Sequence, residues 1–206
     1  MKFKIHETIP LLLLLFIAGC GKRNFFPDED DPGLNRLTSR GYNIATTYIN
    51  NVPYINPYRS TIFGGISNTV PTVTLIPTNS TFDTLDISWQ IEINVTPVSY
   101  NQPYNSISLL MPVPKNFTSH NFLGMSGQRF SSNTNSIVLN SFDNYSGGIA
   151  GKSNIYFVNI KYTDSSATSS TRNYAFSGLF NGNIGDSILI TKGRFDFKID
   201  ASQIKF

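Results

Sequence analysis

Leu85, Ile87, Trp89, Ile91 and Ile93 alternate without a break with Asp86, Ser88, Gln90 and Glu92. A period of two fits a strand with one buried and one wet face, and it excludes an amphipathic helix over the same residues. Shorter alternations recur at Ile107, Leu109 and Met111, at Tyr156, Val158, Ile160 and Tyr162, and at Phe195, Phe197 and Ile199 against Arg194, Asp196, Lys198 and Asp200. Between them stand turn-forming clusters: Asn50-Asn51, Pro77-Thr78-Asn79-Ser80, Ser146-Gly147-Gly148, Asp164-Ser165-Ser166 and Asn181-Gly182-Asn183. This pattern predicts one all-β domain over residues 41–206, an antiparallel sandwich or flattened barrel. Trp89 should face the interior, with Ser88 and Gln90 in water. Pro112 and Pro114 cannot donate to a ladder, so their strand should end or lie at an edge there.

The chain has a single cysteine, Cys20, so no disulfide within it can staple the domain, and the fold must hold by packing. Aromatics are plentiful, with 16 Phe and 10 Tyr, and most must be core. Charge is sparse and scattered, 16 Lys and Arg against 13 Asp and Glu for a formal net charge of +3. A nucleic-acid binder would show a basic stripe instead, so that class is excluded.

The N-terminus has its own logic. Lys2 and Lys4 precede an apolar run from Ile9 to Ala18 that is too short to span a bilayer, which needs about 20 apolar residues, but has the profile of a secretory leader. The run ends in Ile17-Ala18-Gly19-Cys20, which resembles the lipobox of bacterial lipoprotein signal sequences at all four positions. The resemblance implies a signal peptide over residues 1–19, cleavage before Cys20, and lipid on the Cys20 thiol. It thereby implies a protein anchored in the cell envelope, in the outer membrane or at the cell surface, with the membrane as partner. Residues 20–40 carry Asp28-Glu29-Asp30-Asp31 among Pro27, Pro32 and Gly33, a composition expected to form a flexible acidic tether. The acidic run reads as a solvated linker, or as similar to the acidic export signals of Bacteroidota surface lipoproteins. It is not an EF-hand loop, because Pro32 and Ser39 occupy ligand positions.

Two further stretches, Ala45-Thr46-Thr47-Tyr48-Ile49-Asn50-Asn51-Val52-Pro53-Tyr54 and Phe176-Ser177-Gly178 with Ile188 to Asp196, resemble the opening turn and closing hairpin of small Bacteroidota envelope lipoproteins of unknown function. These are turn and core residues, so the resemblance implies a β fold and no chemistry. Asp83-Thr84-Leu85 and Asp186-Ser187-Ile188 resemble Bacteroidota O-glycosylation acceptors, which implies modification at Thr84 and Ser187.

No catalytic motif stands out. His120 is the only histidine after the leader; no Gly-x-Ser-x-Gly elbow accompanies it, and Gly124-Met125-Ser126-Gly127-Gln128 misses by one position. One histidine and no free thiol cannot build a zinc site, so no metal or other cofactor is expected. Ser146 to Ser153 ends like a phosphate-binding loop, but Ser146 stands where the first glycine belongs and a strand should follow. Asp143, Asp164 and Asp186 leave carboxylate catalysis formally open. Tyr54, Tyr58 and Tyr104 each follow a proline in Asn-containing turns, where rings at loop tips could stack on a sugar. The expectation is a lipid-anchored envelope protein, not an enzyme, that binds or serves as a structural component, with a glycan or an envelope protein as partner. A carbohydrate- or peptide-binding accessory module and a carboxylate-dependent hydrolase are the alternatives.

Overall fold

The computed structural model describes residues 26–56, 58–59, 67–68, 71–93, 104–141, 148–163, 173–201 and 204–205. The protein is all-β. In chain order the strands are β1 (Ile44–Ile49), β2 (Val52–Ile55), β3 (Tyr58–Arg59), β4 (Ser67–Asn68), β5 (Thr72–Pro77), β6 (Phe82–Gln90), β7 (Glu92–Ile93) and β8 (Ser106–Pro114). One short helix, α1 (Ser119–Gly124), follows, then β9 (Arg129–Asn140), β10 (Ile149–Thr163), β11 (Asn173–Ile184), β12 (Ile188–Asp200) and β13 (Ile204–Lys205). A single sheet runs β13-β5-β6-β8-β9-β10-β11-β12-β1-β2-β7, with β3 and β4 paired separately. Every pairing in the large sheet is antiparallel except that of β13 with β5.

The order itself shows the curl. β7 pairs with β2 at one end of the sheet, yet only Ile91 separates it from β6, which lies near the other end. A flat sheet cannot place those ends one residue apart, so the sheet bends round into a flattened half-barrel with its core on the concave side. Ring contacts cross that interior: Trp89 of β6 lies 5.6 Å from Phe180 of β11 and 5.3 Å from Phe197 of β12 between centroids. The alternation in β6 is obeyed, with Leu85, Ile87 and Trp89 buried and Gln90 exposed. Thr118 caps α1 in a capping box with Asn121, and Phe122 is inserted fully buried against Phe157, Tyr174 and Phe176. Pro112 and Pro114 fall where β8 pairs with β6 alone, because β9 matches β8 only over Ser106–Leu109.

Several local expectations are corrected. Asn181-Gly182-Asn183 is not a turn but the interior of β11; the chain reverses two residues later, where Gly185 takes φ +57°. Gly182 is needed because a Cβ there would sit 2.5 Å from the Lys152 carbonyl oxygen on β10. The alternation at Tyr156, Val158, Ile160 and Tyr162 does not hold one face. A bulge between Phe157 and Asn159 shifts the phase, so Ile155 and Phe157 point inward before it and Ile160 after it, while Tyr156 faces out. The β1–β2 turn does follow expectation, since Asn50 and Asn51 both take positive φ (50° and 65°), the geometry of a two-residue type I′ hairpin.

The largest departure concerns residues 26–40. Their composition reads as a tether, yet they pack on the outside of the sheet, with Leu34 fully buried and a bridge pairing Pro27 with Asn35. Asp196, expected on a wet face, is 1% exposed beneath this arm. It accepts hydrogen bonds from the backbone N–H groups of Arg40 (3.1 Å), Gly41 (2.6 Å) and Tyr42 (3.4 Å) and from the Thr38 hydroxyl. Composition missed the arm because polar side chains, rather than apolar area, hold most of it down.

Asp86 on β6 carries strain of another kind. Burial pushes its carboxyl pKa up, a Ser108 hydrogen bond pulls it partly back, and Oδ1 is buried with no hydrogen-bond partner among the described residues. A raised carboxyl pKa contributes stability only while the group is protonated, and that contribution is lost as pH rises through the folded-state value. Asp86→Asn should therefore stabilise the fold near neutral pH by about 1 kcal/mol after allowing for solvent screening. Chemical denaturation repeated at a pH below the ordinary carboxylate range should show the gain vanish.

Candidate functional site

Strand register sets three rows of outward side chains across β9 to β12. Arg129, Tyr156, Leu179 and Arg194 stand side by side in the first. Two residues along lie Ser131, Asn154 and Asn181, and beyond them Lys152, Asn183 and Leu189. Their inward neighbours Ile155, Phe157 and Phe180 belong to the core, which fixes these rows on the convex face. The arm packed beside these strands walls that face through Asp31, and a hollow lies between them. A trough of about 730 Å³ holds the first two rows, and an adjoining hollow of about 470 Å³ continues it past Lys152 and Asn183; the two share Ser131, Asn154, Asn181 and Lys192.

Irregularities in the strands shape the rim. β9 leaves β10 between Ser132 and Ile137, which places Asn133 at the edge of the second hollow. β12 bulges around Lys192, whose φ of 52° lies in the left-handed region. The bulge turns Lys192 onto Asp31 of the arm. Arg194 is committed to the arm: its guanidinium pairs with Asp28 and Asp31 and donates to the Asn35 carbonyl at 3.0 Å. The acidic run is therefore neither free linker nor open metal site; Asp31 walls the trough, and Asp28 and Asp31 are neutralised by Arg194 and Lys192. The hydrogen bond from Arg194 holds Asp28 below the usual carboxylate range, and the one to Asp31 raises Lys192. Asp28's share of the clasp is lost only as pH falls through that depressed value, and the share of Lys192 only as pH rises through its raised one.

The floor is a polarised chain of hydrogen bonds. The Ser131 hydroxyl donates to Asn154 Oδ1 at 2.6 Å, and Asn154 Nδ2 donates to Asn181 Oδ1 at 3.1 Å. This fixes the orientation of both amides and leaves the Asn181 amide N–H groups directed to solvent. At the near end the Arg129 guanidinium lies 5.2 Å from the centre of the Tyr156 ring, a cation–π contact that holds it over the strand.

The residues singled out in the sequence fall elsewhere. Tyr54 is buried, 6.3 Å from the half-buried Tyr104 ring, and burial pushes its hydroxyl pKa up to about 12. It is a core residue, because the β1–β2 hairpin turns its ring inward, and it cannot present a face to a ligand. Tyr58 lies in β3, with its side chain outside the described residues. Cys20, Asp143 and Asp164 also lie outside them. Ser187 is exposed in the β11–β12 turn, whereas the half-buried Thr84 has its hydroxyl bonded to Thr78 at 2.7 Å. His120 is exposed on α1, and Asp186 is exposed in a turn. The stretch that ends like a phosphate-binding loop runs into β10, where Lys152 points into the trough. No group of three or more His, Cys, Asp or Glu among the described residues could hold a metal ion.

Sequence reasoning missed the trough because its residues come from four separated strands and none forms a motif. A signal was present in the amide and hydroxyl residues at alternate positions, Ser131 and Asn133, Asn154 with Lys152, and Asn181 with Asn183. Comparison with protein-family models, with curated proteins and with solved structures finds no match.

Proposed function

We propose that this chain is a lipid-anchored cell-envelope protein that acts by binding, and that its ligand is a saccharide held in the trough of β9 to β12. The observation that carries the reading is the oriented Ser131–Asn154–Asn181 chain. Amides that each offer a donor and an acceptor, held on adjacent strands about 4.8 Å apart, suit the closely spaced hydroxyls of a sugar. A peptide fits less well. β10, β11 and β12 are paired on both sides, so strand addition could use only the Arg129–Ser132 end of β9, and large exposed apolar side chains in the trough are limited to Leu179 and Leu189. Hydrolysis is disfavoured because glycoside cleavage uses a pair of carboxyl groups, whereas the trough lining offers Asp31 alone, ion-paired with Lys192 and Arg194.

The lipobox at Ile17-Ala18-Gly19-Cys20 supplies the anchor in this reading. Among the described residues no helix is long and apolar enough to cross a membrane. Because the arm packs from Phe26 onward, the chain from Cys20 to Phe26 can reach no more than about 20 Å. The trough, walled by Asp31, would then work close to the lipid surface. Cys20→Ala should shift the protein from the detergent phase to the aqueous phase; unchanged partitioning would remove the anchor from the account. For the binding half, Asn154→Ala with Asn181→Ala should weaken saccharide binding at least about tenfold, the loss expected for one to two hydrogen bonds, with the melting temperature nearly unchanged. Titration calorimetry against a panel of neutral and acidic oligosaccharides measures this, and undiminished binding by the double variant would reject the trough as the site.

A further inference from the structure

The four cations around the trough are not equivalent. Arg194 and Lys192 are consumed by the arm carboxylates Asp28 and Asp31. Arg129 and Lys152 have no anionic partner among the described residues, although both are exposed on the trough side. The Arg129 guanidinium is nevertheless held in place, because it lies over the Tyr156 ring. A planar fork fixed by an aromatic face, with its N–H donors uncommitted, is a preorganised partner for a carboxylate, which it meets through two parallel hydrogen bonds.

Arg129 lies opposite Tyr156, and Lys152 sits four residues from Tyr156 along β10 on the same face. At the rise and spacing of strands the backbone positions of the two cations are about 14 Å apart, with the Asn154 and Asn181 amides between them. The layout is cation, hydroxyl-binding floor, cation. A neutral sugar would leave both charges idle, while a chain of acidic sugars would meet the cations at its carboxylates and the amides at its hydroxyls.

We propose that the trough selects acidic glycans, with a uronate carboxylate on Arg129 and a second acidic residue of the same chain at Lys152. This rests on the saccharide reading above and narrows it to a ligand class. The selection is electrostatic at Lys152, which is a point charge in water, and geometric at Arg129, where the fork is fixed. Affinity should accordingly fall as salt rises, with the Arg129 contact the less sensitive of the two.

The test uses the full-length protein in detergent micelles and two probes on one sugar backbone, an oligogalacturonate of about six residues, long enough to bridge the two charges, and its methyl ester. The acid should bind at least tenfold more tightly than the ester. Arg129→Gln should abolish most of that preference by weakening the acid far more than the ester, and Lys152→Gln should flatten the salt dependence. Both side chains are exposed, so both variants should melt like wild type. Equal affinity for acid and ester, or a preference that survives Arg129→Gln, overturns the proposal and leaves the saccharide reading standing if Asn154→Ala still weakens both probes. Failure of both probes to bind overturns proposal and reading together. Binding of a polyglutamate peptide that depends on Arg129, with no binding of the sugars, assigns the site to acidic peptides and overturns both.

Discussion

Trp89→Ala is expected to remove about 3–5 kcal/mol of stability, the usual loss for truncating a buried large aromatic, from a domain whose total is of the order of 5–15 kcal/mol. The side chain is 4% exposed and its ring meets Phe180, Phe195 and Phe197 from the opposite side of the curled sheet. Its removal opens a cavity where β6 contacts β11 and β12, a site that a sheet curled and closed by pairing on either side cannot easily collapse around. Gln90, next in the strand and exposed, should tolerate Ala within about 0.5 kcal/mol. Urea denaturation of the two variants separates them, and the wild-type tryptophan emission should be blue-shifted as befits a dry indole. Equal losses from the two substitutions would mean that β6 is read in the wrong register.

Asp196→Ala should have an effect of similar size for a different reason. The carboxylate is buried and gathers three backbone N–H groups and the Thr38 hydroxyl, and no other acceptor takes over when it is removed. Each donor stranded out of water costs about 1–3 kcal/mol, reduced for those that find solvent once the arm loosens, so a total near 3 kcal/mol is expected. Because the damage is local, it should also be visible locally. The amides of Arg40, Gly41 and Tyr42 should exchange with solvent far faster than in wild type, and a protease should cut between the arm and β1. A loss below 1 kcal/mol with these amides still protected would show that the arm is held by its ion pairs instead.

Asp196 also marks the limit of what alternation can reveal. Period two places Phe195 and Phe197 inward and Asp196 outward, which is correct, yet outward here means beneath the arm. Nothing in residues 26–40 alone announces that contact, since the partners lie far along the chain: Asp196 for Thr38 and Arg40, and Arg194 for Asp28 and Asp31, each more than 150 positions away. β6 was legible because both its faces obey one rule. β10 was not, because its bulge inverts the phase in mid-strand, and that inversion is what puts Tyr156 outside beside Arg129. Asn-Gly-Asn suggests a turn by composition, whereas in β11 the glycine serves close approach to β10 and the two asparagines serve the trough. The Pro-Tyr pairs misled in the opposite sense: proline set the local path at Tyr54, but the ring had enough apolar area to be drawn into the core.

The central claim is that the convex face of β9 to β12, and no other face, receives the ligand. Backbone chemical-shift mapping of the isotopically labelled protein during titration with an acidic oligosaccharide tests it in one measurement. The account predicts saturable shifts at Arg129, Ser131, Lys152, Asn154, Tyr156, Asn181 and Asn183, with the arm residues around Asp31 following because they wall the same trough. Saturable shifts confined to β5, β6 and β8, or to α1 around His120, would contradict it.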